Sequence, residues 1–105
     1  MLINLFAVIT MQINYTVNAF TSLTQLINFI ESNNTAGAGL RWLAKYELFL
    51  QKTFLAPQRI TLCHNKTFNQ LNLRCLYFND WIIAFSIYEE YILIEALLHR
   101  SRINN

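Results

Sequence analysis

The apolar residues of this chain change period twice, and that change constrains the fold more than any other feature. Over 12–17 they alternate, with Ile13, Tyr15 and Val17 on one side and Gln12, Asn14 and Thr16 on the other. A period of two with β-branched and aromatic members predicts a half-buried strand. From Asn18, a residue type suited to an N-cap, the spacing becomes three and four. Phe20, Leu23, Leu26, Ile27 and Ile30 form the stripe of an amphipathic helix. Ser32, Asn33 and Asn34 stop it, and Asn34 or Thr35 is placed to cap a second helix over about 36–54. There Leu40, Leu43, Leu50 and Phe54 share one side, and Trp42, Tyr46 and Phe49 an adjacent one. Ala36, Gly37, Ala38 and Gly39 allow a close approach of the two helices, and the short connection predicts an antiparallel hairpin. Pro57 closes it.

Beyond Pro57 the period returns to two, with candidate strands over 59–63, 73–78, 81–87 and 91–98. Asn79-Asp80 is a two-residue hairpin turn. That turn sets Phe78 opposite Trp81, Leu76 opposite Ile83 and Arg74 opposite Phe85, all on one face. Leu73, Cys75, Tyr77, Ile82, Ala84 and Ser86 take the other. On the last strand Ile92, Ile94, Ala96 and Leu98 alternate with Leu93, Glu95, Leu97 and His99. A strand apolar on both sides is central, and strict alternation turns Glu95 and His99 to the same, more open side. The expected class is α+β: an N-terminal strand, an antiparallel helical hairpin, then a three- to four-stranded antiparallel sheet. One domain covers 11–105, and 1–10 reads as an N-terminal extension, with translation starting at Met1 or at Met11.

Size and composition bound the function. A chain of 105 residues buries about two-thirds of its surface on folding, enough for a core of its own. With 54% hydrophobic and 13% charged residues, disorder is excluded. A net charge of +2 is too mild to imply nucleic acid by itself. No stretch reaches the ~18 unbroken apolar residues of a membrane span. The opening apolar run has no preceding Lys or Arg and no clear cleavage site, so a cytoplasmic protein with Cys63 and Cys75 as reduced thiols is expected. Residues 1–30 carry no charge, which predicts apolar surface covered by a partner. Leu48 and Phe49 on the second helix are candidate contacts.

Most catalytic and cofactor signatures are missing. The only glycines are Gly37 and Gly39, so no phosphate loop or nucleotide fingerprint exists. Cys63-His64 has no matching second pair for a zinc site. No cofactor, metal or small-molecule substrate is expected. Two sets of residues remain: the ending His99-Arg100-Ser101-Arg102, where an imidazole and two guanidiniums can hold phosphate, and the basic pair Lys66 and Arg74.

The order of elements and several segments resemble the RelE/ParE superfamily, the toxins of bacterial type II toxin-antitoxin modules, which include plasmid-stabilisation modules. Ala19-Phe20-Thr21-Ser22-Leu23 with Leu26-Ile27-Asn28-Phe29-Ile30 resembles the first helix of that family, with Ser22 where Asp is usual. Pro57 falls where the family often has Pro after its long second helix. The stretch from Phe78 to Ile87 resembles its hairpin. Tyr91-Ile92-Leu93-Ile94 followed by Leu98-His99-Arg100-Ser101-Arg102 resembles its last strand and H-x-x-R ending.

This resemblance implies growth inhibition, neutralised by a cognate antitoxin. The target is DNA gyrase if the chain is ParE-like, or messenger RNA in the ribosome if it is RelE-like. The nuclease branch implies a catalytic set of His99, Arg102 and Arg74, with Lys66 also holding phosphate. Its other basic positions fall at Ile82 and near Cys75, which favours the gyrase branch. An inactive binding module of the same fold is the third reading.

The period-two pattern is complete from Gln12 onward. Deleting residues 1–10 should therefore leave cooperative unfolding intact, as measured by thermal melts of the full-length and shortened chains.

Overall fold

Residues 12–102 are described by the computed structural model of the chain. The extension 1–10 and the Met11 start lie outside the described residues. The elements are β1 (Gln12–Tyr15), α1 (Val17–Ser32), α2 (Ala38–Thr53), a short α3 (Lys66–Gln70), β2 (Arg74–Phe78), β3 (Trp81–Ile87) and β4 (Tyr91–His99). Single 3₁₀ turns occupy Pro57–Arg59 and Arg100–Arg102. The class is α+β, as the two changes of period imply.

The strand order is β1-β4-β3-β2. β2, β3 and β4 run antiparallel, with Phe78 opposite Trp81, Leu76 opposite Ile83 and Arg74 opposite Phe85, the register that the Asn79-Asp80 turn predicts. Asn79 takes a left-handed φ of 54°, which Asn tolerates better than most residues. β4 is central, as its two apolar sides require. The wholly antiparallel sheet expected from the sequence is corrected: β1 lies parallel to β4, pairing Gln12 with Tyr91 through to Tyr15 with Ile94. The helices and the β2–β3 hairpin that lie between them return the chain so that β1 and β4 run the same way.

A second correction concerns β4 itself. Ala84 pairs with Ala96, but Phe85 pairs with Ile94, so Glu95 is an extra residue bulged out of the ladder. The bulge reverses the alternation beyond it. Ile92, Ile94 and Leu97 all enter the same core as Leu23, Leu26, Tyr46, Leu50, Ile83 and Phe85. Glu95 and His99 accordingly lie on opposite faces. Glu95 accepts a hydrogen bond from Ser86 Oγ, whereas His99 stands edge-on to Trp81 on the helix side.

Several local expectations shift. The first helix is capped by Thr16, whose Oγ1 accepts from the Ala19 N–H at 3.1 Å, and not by Asn18. Val17 therefore leaves the strand and is 81% exposed. The second helix begins at Ala38 after Gly37, whose φ of 86° suits glycine. Neither Asn34 nor Thr35 supplies a side-chain cap. The Glu31 carboxylate reaches across from α1 and accepts the N–H groups of Gly37 and Gly39, each at 2.8 Å. The helices also approach closely at Gly39: a Cβ there would stand 2.8 Å from the Ile27 carbonyl oxygen. The expected strand over 59–63 reduces to one bridge between Leu62 and Arg74. The helix α3 was not expected from the sequence; Asn65 caps it by accepting the Phe68 N–H.

On the helix face, Trp42 stacks on Tyr46 at 5.1 Å and both meet Phe78 edge-on. Phe49 packs on Phe78 at 5.0 Å, so it belongs to the core; Leu48 is the exposed member of the expected contact pair. The Tyr46 hydroxyl, fully buried, shares a 2.9 Å hydrogen bond with that of Tyr15. Burial pushes both phenols above their ordinary range. The pair thus joins β1 to α2 as a neutral hydrogen bond.

The opposite face has a second, smaller core of Cys63, Leu73, Cys75, Ile82 and Ala84, with Phe68 and Ala96 against it. Here the expectation of free thiols fails: Cys63 and Cys75 form a disulfide. The Leu62–Arg74 bridge brings their backbones together, so the sulfurs meet although the cysteines are 12 positions apart in sequence.

Two predictions follow from these contacts. The two glycine N–H groups hold the Glu31 carboxyl below the usual carboxylate range, with a smaller contribution from Arg41. A lowered folded-state pKa stabilises above the unfolded value of about 4.3 and is lost as the pH falls through the folded one. Glu31→Gln should lower Tm at neutral pH, and the difference from wild type should shrink toward pH 3. Closing a loop of this length with a disulfide is worth about 3 kcal/mol. Cys63→Ser/Cys75→Ser should lose roughly that much in urea unfolding, and a reductant should reproduce the loss in the wild type.

Candidate functional site

The bulge at Glu95 decides what the end of β4 can do. By returning Leu97 and His99 to the helix face, it sets them beneath α1 and beside Trp81. The Arg100–Arg102 turn is then held against the hairpin by the Arg100 N–H, which donates to the Asp80 carbonyl at 2.8 Å. The result is a groove of about 460 Å³ between α1 and the end of the sheet. Ser22, Gln25, Leu26 and Phe29 line one wall; Trp81, Leu97, Leu98, His99, Ser101 and Arg102 line the other. The volume falls within the range of small ligand sites. The lining contains no acidic residue, so its charge comes from Arg102.

His99 is held by its own turn. Its Nδ1 accepts the Ser101 N–H at 3.2 Å and lies 2.9 Å from Ser101 Oγ. Since a backbone N–H can only donate, the proton of the neutral imidazole sits on Nε2. The Trp81 ring stands edge-on to the imidazole at 5.2 Å. His99 and Arg102, both expected as site residues, thus come together on one groove.

Arg74, the third expected member, does not join them. It pairs with Phe85, which pairs with Ile94, whereas His99 pairs with Trp81 at the other end of the hairpin. Four residues along the strands and two strands across separate Arg74 from His99, roughly 16 Å between backbones. Its guanidinium instead donates to the carbonyls of Ile60 and Gln58, tying the Pro57–Arg59 turn to β2. Lys66 opens the helix that packs on the opposite face through Phe68. The basic set of a phosphate-holding nuclease is therefore dispersed.

The groove contains two residues that the sequence reading did not single out for a site, Phe29 and Trp81. Phe29 lies off the apolar stripe of α1 and is 64% exposed. A large aromatic on the polar side of an amphipathic helix is the signal that could have pointed to it. Trp81 sits at a hairpin corner, where a large ring has less to pack against than in mid-strand. Among the described residues, no three His, Cys, Asp or Glu side chains cluster to hold a metal. Nor is any helix among them long and apolar enough to cross a membrane. Compared with known proteins, the chain matches no family model and no curated protein.

Proposed function

We propose that this protein is a toxin of the RelE/ParE type, nearer the gyrase-inhibiting branch, which acts by binding its target and is neutralised by a cognate antitoxin in the cytoplasm. The observation that carries this reading is the joint placement of His99 and Arg102 on an apolar groove, while Arg74 is committed to backbone carbonyls elsewhere. A ribonuclease needs several basic groups converging on one phosphate; a protein-binding toxin needs an apolar anchor with a charged rim. Phe29 and Trp81 supply the first, and Arg102 the second. The order strand, helix, helix, strands and the H-x-x-R ending support the family assignment. Ile82 and Cys75, where the nuclease branch places basic residues, are buried in the second core.

The Cys63–Cys75 disulfide favours a second reading, a binding module of the same fold in a compartment that keeps disulfides oxidised.

Expression in a bacterial host separates the readings. The gyrase reading expects growth arrest with a DNA-damage response and intact transcripts. It also expects Arg102→Ala to weaken gyrase binding about tenfold, the loss typical of one good interfacial anchor. Ribosome-dependent transcript cleavage that disappears in His99→Ala would replace gyrase inhibition with the nuclease mechanism. Unimpaired growth at full expression would favour the binding module.

A further inference from the structure

The open edge of β1 has the properties of a self-pairing surface. In a parallel ladder, alternate residues direct both backbone groups at the neighbouring strand. The Thr16 N–H donates to the Ile94 carbonyl at 3.0 Å, so residues 12, 14 and 16 face β4. The N–H and C=O groups of Ile13 and Tyr15 therefore point away from the sheet, and among the described residues no strand lies beyond them.

Their spacing is symmetric about Asn14. In an antiparallel pairing with a two-fold axis at Asn14, Ile13 of each copy meets Tyr15 of the other, and each pair exchanges two hydrogen bonds. All four outward N–H and C=O groups of each copy are used. Asn14 meets its own copy between them, on the face away from the helices, since Ile13 and Tyr15 pack toward the helix-side core.

The flanks suit the same partner. A groove lined by Ile13, Tyr15, Val17 and Phe20 runs along this edge, and Val17 and Phe20 are 81% and 59% exposed. Natural edges are usually guarded by shortness, charge, proline or a bulge; β1 is short, at four residues, but residues 12–30 contain no charged side chain and no proline. A surface without charge is complementary to itself, because pairing two copies removes no ion from water and opposes no like charges.

We infer that two copies of this chain associate through β1, joining their sheets into one continuous eight-stranded sheet with Asn14 on the two-fold axis. This inference does not rest on the toxin reading.

Sedimentation velocity of the full chain, with Asn14→Lys and Asn14→Asp variants, tests it. Wild type should sediment as a dimer of the 12.4 kDa chain. Each variant alone places like charges opposite each other, which should raise the dissociation constant about tenfold. An equimolar mixture of the two variants should recover the dimer, because Lys then faces Asp; a misfolded variant would not be rescued in this way. Three results would overturn the inference: a monomeric wild type, variants as dimeric as wild type, or a mixture that stays monomeric. A monomer whose Ile13 and Tyr15 amides still resist hydrogen exchange would assign the edge to residues 1–11 of the same chain.

Discussion

The fold depends on β4. Among the described strands it alone joins a local pairing to a distant one: β3 lies beside it through a hairpin, and β1 comes from the far end of the sheet-forming chain. Both its faces must be apolar, because the helical hairpin covers one and the second core lies against the other. A regular strand would leave Leu97 and His99 on the face opposite Ile92 and Ile94. One extra residue at Glu95 removes that conflict, giving the helix-side core a further Leu and turning the C-terminal end inward. Glu95 itself is accommodated by the Ser86 hydroxyl on the outer side. The groove under α1 is thus a product of the bulge.

The strands and helices were legible because each has its own apolar period and because turn residues mark the breaks. The β2–β3 register was legible for the same reason: a two-residue loop leaves one pairing that keeps the apolar set together. What escaped depended on contacts between distant residues. The stretch Ile94-Glu95-Ala96-Leu97-Leu98 is apolar on both sides, so period two describes it equally well with or without an insertion. The direction of β1 is not written in its four residues; it follows from the path of everything between it and β4. The Glu31 cap acts between helices, whereas capping signals are read within one.

The site was legible in part for related reasons. His99 and Arg102 are close in sequence, so one turn holds them together. Arg74 shares a sheet with them but not a neighbourhood, and its distance became apparent only through the ladder. The disulfide escaped because its cysteines lie on opposite sides of α3, a helix too short to show a period. Trp81 is an aromatic residue on the same strand face as the core, and nothing in its spacing separates it from Phe78, which builds the interior; Phe29 alone was marked, by its place off the apolar stripe of α1.

The parallel pairing of β1 with β4 also has a consequence for how the chain is made. The Thr16 hydroxyl and the carbonyl of Glu95 that it contacts are 79 residues apart. Loops that long close slowly, and contacts of such separation lengthen folding times. During synthesis β1 and α1, which carry no charge before Glu31, are made before β4 and must wait until that strand has followed. Domains are generally most vulnerable to wrong association while such surface is uncovered. The helical hairpin can form early from local contacts and shelter its own stripe, but β1 finds its neighbour only when the last strand arrives. The arrival of β4 therefore closes the fold, and a chain that lacked this strand would leave β1 without its partner.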